Sequence, residues 1–526
     1  MFREVKLMVG RSVQKALALA VTAGVVALSG AAASAQEKTP SVTAIKVGVL
    51  HVGDGKTIEK AIVVVEGGKI TAVGAGLPIP DGATVVDVPK GSMTPGLIDA
   101  NAMVEARDLV STRGARGSIG EAPREAPQSQ GPSALALMFH DHRRNEDCFA
   151  CSGAEPCALA NMHETLEPGQ ICPCCGFPTY QDVENLISGV NTQEWSQTEA
   201  SSEVVPHTRV IDSVNLRSAD FDRLARAGVT TVFVSPDSSA VIGPRGAIVR
   251  TAGSMRDRVV SLESDVKAAM GSDPYSVGTR NSPPFRGFVS SRTRRPNTRM
   301  GVTWVFRKAL FDTQEWARGE TPSGADTPPA EALPVLKDLM DGKVRLRVHA
   351  RQQSDILTAI RLAGEQKLSF TLLEGTEAYK CLNELKAAEV PVIFGPLYMT
   401  PSGARQRSSE TDGARLTTLK ELLDAGIPTA LSAQDLREED GLARQAMYAM
   451  KSGVSREEAI RAITLTPATM LGIADVTGSV ETGKRADLVV WNGEALDATA
   501  QPVVVMVGGK VVFDGRGDQG RGSRRE

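Results

Sequence analysis

The chain has 526 residues, of which 41% are hydrophobic and 23% are charged, and its formal net charge is −3. This length predicts two or three structural units of roughly 150 residues each. The balanced charge and ordinary hydrophobic content exclude a strongly basic nucleic-acid-binding protein and a wholly disordered chain.

Residues 1–35 have the pattern of a signal peptide. A basic region that begins at Arg3 is followed by the short apolar stretch 16–28 and by the small residues at 33–35. This order is typical of a cleavable secretory signal, and the apolar stretch is too short for a membrane anchor. The sequence therefore predicts an exported protein, periplasmic or extracellular. Its mature chain is expected to begin at Gln36 and to have no membrane span.

The two ends of the chain share one sequence pattern. Residues 41–92 and 478–515 consist of short alternating apolar and polar runs between Gly-rich turns, such as AIVVVEGGKITAVG and PVVVMVGGKVVFDG. Runs of this kind are typical of short strands and hairpins. We expect the two pieces to form one β-sandwich, with a larger domain inserted between them.

Residues 93–477 alternate short apolar runs with helical segments. The apolar runs predict strands at 229–236, 344–350, 368–375, 391–396 and 428–434. Ser455 and Glu458 have the spacing of a helix capping box. Strands that alternate with helices pair in parallel, so the region predicts an α/β fold with a (β/α)8 TIM-like barrel. Residues 104–205 interrupt the pattern as a Cys-rich insert after the first barrel strand.

Several motifs occur in a fixed order along the chain: MTPGLIDA (93–100), ARAGVTTVFVSP (225–236), VHARQQSDILTAIRLAGE (348–365), EGTEAY (374–379) and TPATMLGIADVTGSVETGKRADLVVW (466–491). Together they resemble the amidohydrolase superfamily, and within it the bacterial imidazolonepropionase-like members. The resemblance implies a barrel with its active site at the carboxyl ends of the strands, a sandwich from both chain ends, and a homodimer. It also implies hydrolysis of non-peptide C–N bonds, in cyclic amides or dipeptide-like compounds, by a metal-activated water.

Most of the metal ligands that the resemblance implies are replaced in this chain. Asn101 and Met103 stand where the family has two histidines after the first strand. Glu374 stands in place of the sixth-strand histidine, and Gln434 in place of the aspartate after the last strand. His349 is the expected histidine of the fifth strand. Since a catalytic zinc takes three protein ligands, a divalent metal is not expected in the barrel, and metal-dependent activity should be weak or absent.

Two interpretations of the remaining residues stay open. In one, His349, Glu374 and Asp435 form a rearranged one-metal site or a metal-free acid–base pair, because carboxylates also bind divalent ions. In the other, His349 is a hydrogen-bonded core residue of a pseudo-enzyme. Successive strand residues face opposite sides, so Asp435 is out of phase with position 434, which favours the second interpretation.

The insert contains a regular cysteine framework. Cys148 and Cys151 form one CxxC pair, and Cys172 and Cys175 form another. Two such pairs around one tetrahedral ion are the pattern of a structural zinc site. Disulfides, which an exported location favours, and a different metal are the alternatives.

The place of the insert in the chain bears on function. It leaves the end of the first barrel strand, so we expect it at the mouth of the barrel through which a small-molecule substrate would enter. A lid or docking module and a structural decoration both agree with this place. Three functions therefore stay open: an exported C–N hydrolase, a pseudo-enzyme that binds a small ligand, and a protein that docks onto a partner through the insert.

Overall fold

Apolar runs bounded by glycine form short strands in both halves of the chain. The computed structural model describes residues 42–104, 199, 202–276, 296, 298–324, 327–396, 410, 413–434 and 441–516. The predicted signal peptide, nearly all of the predicted insert and Asp435 lie outside the described residues. The same holds for the four predicted zinc ligands, Cys148, Cys151, Cys172 and Cys175.

The described strands are β1 Thr43–His51, β2 Thr57–Glu59, β3 Ala61–Glu66, β4 Lys69–Ala75, β5 Thr84–Pro95, β6 Leu97–Ala102, β7 Val229–Val234, β8 Ile242–Arg245, β9 Ala247–Arg250, β10 Val259–Ser261, β11 Val266–Ala269, β12 Leu346–Ala350, β13 Phe370–Glu374, β14 Val392–Phe394, β15 Thr429–Leu431, β16 Leu488–Trp491, β17 Pro502–Val507 and β18 Lys510–Asp514.

The described α-helices are α1 Ala219–Arg226, α2 Met255–Arg258, α3 Asp273–Ser276, α4 Arg299–Ala317, α5 Ala332–Met340, α6 Gln353–Gln366, α7 Leu382–Ala387, α8 Thr418–Asp424, α9 Leu442–Lys451, α10 Arg456–Ala462 and α11 Leu465–Leu471. Among them, no helix combines the length and the apolar character that crossing a membrane requires. The predicted capping box is present at the start of α10.

Strands from the two ends of the chain form one eight-stranded sheet, here called the terminal sheet. Its order is β18-β17-β16-β5-β1-β3-β4, and β2 pairs with β1. The two ends join where β16 runs antiparallel to β5, with Leu488 opposite Pro95. One face of the sheet buries an apolar cluster that includes Ile45, Val63 and Leu488. The second layer that a sandwich requires stays a prediction.

The middle of the chain forms a parallel sheet with helices between its strands. Strands β11 to β15 pair in chain order, each parallel to the next. Another sheet, of order β10-β9-β7-β6, has β6 parallel to β7. Just beyond β6 and β15, the backbone N–H of Met103 donates a hydrogen bond to the carbonyl oxygen of Gln434 at 3.3 Å. The fold is thus a mixed α/β fold in which the first and last strands of the middle region meet; closure into a barrel stays a prediction.

Both faces of these strands are buried. An inner cluster combines apolar side chains of the two smaller sheets: Ile98, Ala100, Phe233, Ile248, Leu373, Ile393 and Ala430. A larger cluster lies between strands and helices and includes Val348 of β12 and Ile356 of α6. Burial on both faces is the usual reason that strands of parallel sheets are continuously apolar, as VIF of β14 is.

One stretch of strands has no counterpart in the sequence prediction. Between β7 and α3 the chain forms β8, β9, β10 and β11, each only three or four residues long. Gly243, Pro244 and Gly246 interrupt the apolar run, so no alternation is long enough to be recognised. Strand β9 pairs antiparallel with β7, and β8 pairs antiparallel with β11. The middle region therefore departs here from a simple alternation of parallel strands and helices.

Candidate active site

The carboxyl ends of the parallel strands bring three predicted residues together. His349 lies on β12, Glu374 ends β13, and Gln434 follows β15. Because these strands are parallel, their carboxyl ends lie at one edge of the sheet, where barrel enzymes have their active sites. All three residues are buried.

His349 and Glu374 contact each other directly. The imidazole Nε2 lies 3.3 Å from Glu374 Oε2, and Nδ1 lies 3.7 Å from Oδ2 of Asp273. Neither ring nitrogen has a hydrogen-bond partner of good geometry in the described part of the chain. The Nε2 amide of Gln434 donates to Glu374 Oε1 at 2.7 Å. The glutamine at the family's aspartate position therefore binds the glutamate at its histidine position.

Glu374 and Gln434 have left-handed backbone conformations, with φ of 67° and 50°. This region costs a residue other than glycine about 1–2 kcal/mol. Leu373 faces the inner apolar cluster, so regular alternation would turn the next side chain away from it. The left-handed turn at the end of β13 instead directs the Glu374 carboxylate towards His349.

Arg351 is the centre of a largely buried group of charges, of which the sequence analysis identified Glu374 alone. Its Nε lies 2.5 Å from Glu374 Oε2, and its Nη1 lies 2.9 Å from Asp273 Oδ1 and 3.4 Å from Glu410 Oε2. These four residues are here called the arginine cluster. Burial raises the pKa of Asp273, but Arg351 and His349 outweigh it and hold that pKa below its usual range. Burial lowers the pKa of Arg351, and Asp273 and Glu374 more than reverse this.

A second arginine supports the cluster from the side of α4. Arg299 donates to both carboxylate oxygens of Asp355, at 2.8 and 3.1 Å, and contacts Glu410. The backbone N–H of Ser272 donates to Glu410 Oε1 at 3.1 Å. Glu410 is thus held by two arginines and a backbone amide, which fixes the side of the site formed by α3 and α4.

Lys267 lies on β11, beside the strand that carries His349. Its Nζ donates to the carbonyl oxygen of Pro236 at 2.6 Å and to the Ser235 hydroxyl at 3.0 Å. Burial lowers the pKa of Lys267 to about 8, although Asp237 and Glu374 act in the opposite direction. A buried amine with a lowered pKa is a feature of functional sites as well as of structural ones.

A second buried ion pair joins Arg347 of β12 to Asp265. Arg347 is 1% exposed, and its Nε donates to Asp265 Oδ2 at 2.5 Å. Its guanidinium carbon lies 3.7 Å from the centre of the Phe233 ring, a cation–π distance. Burial lowers the pKa of Arg347, and Asp265 counteracts the effect. The positive charge therefore persists inside the protein because a carboxylate and an aromatic face accompany it.

Asn101 and Met103 lie at the end of β6, where the family has its first two histidines. Asn101 is 1% exposed, and neither atom of its amide has a hydrogen-bond partner among the described residues. Asp99 fixes the backbone here, because its carboxylate accepts hydrogen bonds from the Ser432 hydroxyl at 2.7 Å and from the Ala433 N–H at 2.9 Å. The ends of β6 and β15 are thus joined, and a buried polar group with unmet hydrogen bonds lies at this junction.

A divalent metal does not fit the residues at this site. The candidate donors are His349, Glu374 and Asp273, but the Arg351 guanidinium already contacts an oxygen of each carboxylate. Gln434 directs an N–H, which repels cations, at the other oxygen of Glu374. Within the described ranges, no three His, Cys, Asp or Glu side chains have an arrangement that could hold a metal ion.

Comparisons with known proteins agree with the resemblance seen in the sequence. The family model described as "Amidohydrolase family" matches residues 406–513. The amidohydrolase tasK of Hapsidospora irregularis is 24% identical over 358 residues, which cover 62% of this chain and 35% of tasK. Imidazolonepropionase of Rhizobium rhizogenes is 32% identical over 156 residues, 29% of this chain and 36% of that protein. These matches support the resemblance to the amidohydrolase superfamily.

A solved structure has a similar fold. A crystal structure of an amidohydrolase from Thermotoga maritima MSB8 superposes with a TM-score of 0.65 at 24% identity and covers 90% of this chain and 100% of the other. This likeness concerns the fold alone. The matches to tasK and imidazolonepropionase span about a third of the length of each, 35% and 36%.

The candidate active site is only partly visible in the sequence. The segment VRLRVHAR places Arg345, Arg347, His349 and Arg351 at every second position, and strand alternation puts such residues on one face. That spacing is a signal that would have identified Arg347 and Arg351. Lys267 is a charge inside the short apolar run DVKAAM, which is a weaker signal.

Proposed function

We propose that this amidohydrolase-superfamily protein descends from hydrolases of non-peptide C–N bonds, in cyclic amides or dipeptide-like compounds, and has weak or no metal-dependent activity. The position of the Arg351 guanidinium carries the proposal, because it contacts the carboxylates that would otherwise be metal ligands. Hydrolysis in this superfamily requires a water that a metal has activated. Residues that repel the metal remove that water.

The remaining residues offer a poor substitute for a metal-bound hydroxide. Both oxygens of Glu374 are engaged, Oε1 by Gln434 and Oε2 by Arg351. A proton taken from water would have to displace one of these donors. His349 contacts the same carboxylate at 3.3 Å, a distance at which an acid and a base could exchange a proton. Because Arg351 and Gln434 already bind both carboxylate oxygens, the pair is poorly placed to exchange protons with a substrate.

The test measures hydrolysis by the purified protein with a panel of dipeptides and cyclic amides, with and without added zinc or manganese. His349→Ala tests whether any hydrolysis depends on the imidazole. Lys510→Ala, a substitution at an exposed position away from the site, is the control. We expect rates at the level of the buffer for all variants. Hydrolysis that needs both His349 and the metal would refute the proposal and establish a rearranged one-metal site.

A specific observation favours ligand binding as a second candidate function. The Asn101 amide and both nitrogens of His349 are buried and lack hydrogen-bond partners of good geometry among the described residues. Each buried unsatisfied group costs about 1–3 kcal/mol, which a polar ligand would recover. Calorimetric titration with the same amides and dipeptides tests this, and Asn101→Leu should abolish any binding. Binding unaffected by Asn101→Leu would place the ligand elsewhere.

Localisation and assembly belong to the same proposal. Export from the segment 1–35, zinc held by the cysteines of the insert, a docking role for the insert and a homodimer all stay proposals. N-terminal sequencing of protein from the native host tests export, and a start at Met1 would refute it. Zinc analysis with thiol counting under denaturing, non-reducing conditions distinguishes a zinc site from disulfides. In that count Cys381 supplies one thiol in either case, since it is free and buried.

A further inference from the structure

The arginine cluster gathers charges from distant parts of the chain. Asp273 belongs to α3, Glu374 ends β13, and Glu410 lies between β14 and α8. The side chains of Arg351, Glu374 and Glu410 are 6–7% exposed, and that of Asp273 is 24% exposed. Three carboxylates in such an environment repel one another, and taking them out of water costs several kcal/mol per ion unless a cation compensates. The cation is therefore required for this part of the fold.

The guanidinium contacts the same carboxylate oxygen of Glu374 that lies nearest to His349. Oε2 of Glu374 is 2.5 Å from Arg351 Nε and 3.3 Å from His349 Nε2. An ion between the imidazole and this carboxylate would share the same oxygen with the guanidinium. The second arm of the guanidinium contacts Asp273, the other carboxylate within reach of the imidazole. The positive charge of the guanidinium at both carboxylates therefore opposes the binding of a metal ion there.

We infer that the guanidinium of Arg351 takes the place of a divalent cation, so that Arg351 is a positioning residue that orders Glu374 and Asp273 and keeps metal ions out. The inference rests on the proposed function, that the barrel site works without a metal. It goes further in assigning the electrostatic role of the ion to one side chain. It also implies that His349, Glu374 and Asp273, which do not converge on one point while Arg351 holds the two carboxylates, can turn towards a shared ion once that charge is removed, so that a single substitution would allow metal binding.

The experiment measures Mn²⁺ binding by electron paramagnetic resonance in the full-length protein. Manganese suits oxygen and nitrogen ligands, so thiolates of the insert do not compete for it. Five proteins are compared: wild type, His349→Ala, Arg351→Met, Arg351→Lys, and Arg351→Met combined with His349→Ala. Methionine keeps much of the volume of the side chain and removes its charge, whereas lysine keeps the charge.

We expect Arg351→Met to bind about one equivalent of Mn²⁺ with an affinity at least about tenfold above that of the wild type, because a like charge at ion-pair distance has been removed. Arg351→Lys should behave like the wild type, since its ammonium still neutralises the carboxylates. Adding His349→Ala to Arg351→Met should remove the gain. A residue that only supported the fold would not produce this pattern, because lysine and methionine would then both be damaging without metal uptake.

Each remaining outcome has a separate meaning. A folded Arg351→Met that takes up no Mn²⁺, or an Arg351→Lys that takes up as much as Arg351→Met, overturns the inference and leaves the proposed function intact. Mn²⁺ binding by the wild type that depends on His349 overturns both. If Arg351→Met does not fold alone, it is refolded with Mn²⁺: recovery supports the inference, and failure to recover contradicts it.

Discussion

The terminal sheet and the middle region of the chain differ in what fills their buried positions. The sheet buries apolar side chains such as Ile45 and Leu488, and its Lys46–Asp87 pair is exposed, with 47% and 46% of the side chains accessible. The middle region buries the charged side chains of Arg347, Lys267, Arg351, Glu374 and Glu410 among apolar neighbours. Apolar burial is stabilising without any partner, whereas each buried charge is tolerated only while its counter-charge is present. The two regions should therefore respond differently to the same kind of substitution.

The largest difference is expected when one partner of an ion pair is removed. Asp265→Ala leaves Arg347 charged and buried, and we expect the free energy of unfolding to fall by about 3–5 kcal/mol. Asp87→Ala breaks an exposed pair of the terminal sheet and should cost at most about 1 kcal/mol. Urea denaturation followed by circular dichroism measures both values.

A double variant shows whether the cost of Asp265→Ala comes from the unpaired charge. Asp265→Leu with Arg347→Met removes both charges and should recover most of the stability. If the double variant is as unstable as Asp265→Ala, packing of the Arg347 stem on Phe233 matters more than the charge, and the contrast between the two regions is not electrostatic.

The next prediction concerns the apolar cluster of the terminal sheet. Leu488 is 1% exposed and joins the C-terminal strands to β5. Leu488→Ala should lower the free energy of unfolding by about 2–5 kcal/mol, because it removes buried methyl groups and leaves a cavity. The loss should be the same at pH 6 and pH 9, since no titrating group is involved. A loss that changes between these values would show that the sheet depends on charges elsewhere.

The strands and the mixed α/β fold could be predicted from local patterns. The runs that include 344–350 and 368–375 are continuously apolar or alternating, and they form β12 and β13. Ser455 and Glu458 form their capping box because that interaction spans only three residues. By contrast, β8 to β11 are too short for a periodic signal. The resemblance to the amidohydrolase superfamily followed from motifs in their order, and the matches to known proteins support it.

The candidate site could be predicted only in part, because its contacts join distant residues. The sequence indicated that Glu374 replaces a histidine, and the structure places it 3.3 Å from His349. Asp273 and Glu410 join this pair through Arg351, yet nothing in their local sequence separates them from other carboxylates. The left-handed turns at Glu374 and Gln434 were also not predictable, because glycine is the usual residue in that conformation.

The stability of the middle region should also depend on pH through the buried amine of Lys267. Its pKa in the folded state is about 8, below the ordinary value of 10.5, so between these values the unfolded chain binds more protons. Stability must therefore rise with pH in this window. Compared with Lys267→Met, the wild type should gain roughly 1.5 kcal/mol between pH 8 and pH 9.5. Lys510→Met, at an exposed position of β18, is the control and should show no such gain relative to the wild type. If the difference in stability between the wild type and Lys267→Met does not change with pH, then burial does not lower the pKa of Lys267.

The smallest expected effect lies at a helix end, away from both the terminal sheet and the buried charges. The Ser455 hydroxyl accepts a hydrogen bond from the Glu458 N–H at 3.2 Å, and the Glu458 carboxylate accepts one from the Ser455 N–H at 3.0 Å. Ser455→Ala removes the first of these and should cost about 1 kcal/mol, whereas Ser455→Asp retains an acceptor and should cost little. Equal costs for the two variants would show that the hydroxyl does not cap α10. The comparison matters because an exposed cap, like Lys46–Asp87, can be satisfied by water when its partner is lost. Asp265→Ala should exceed Ser455→Ala severalfold for that reason: water cannot reach Arg347.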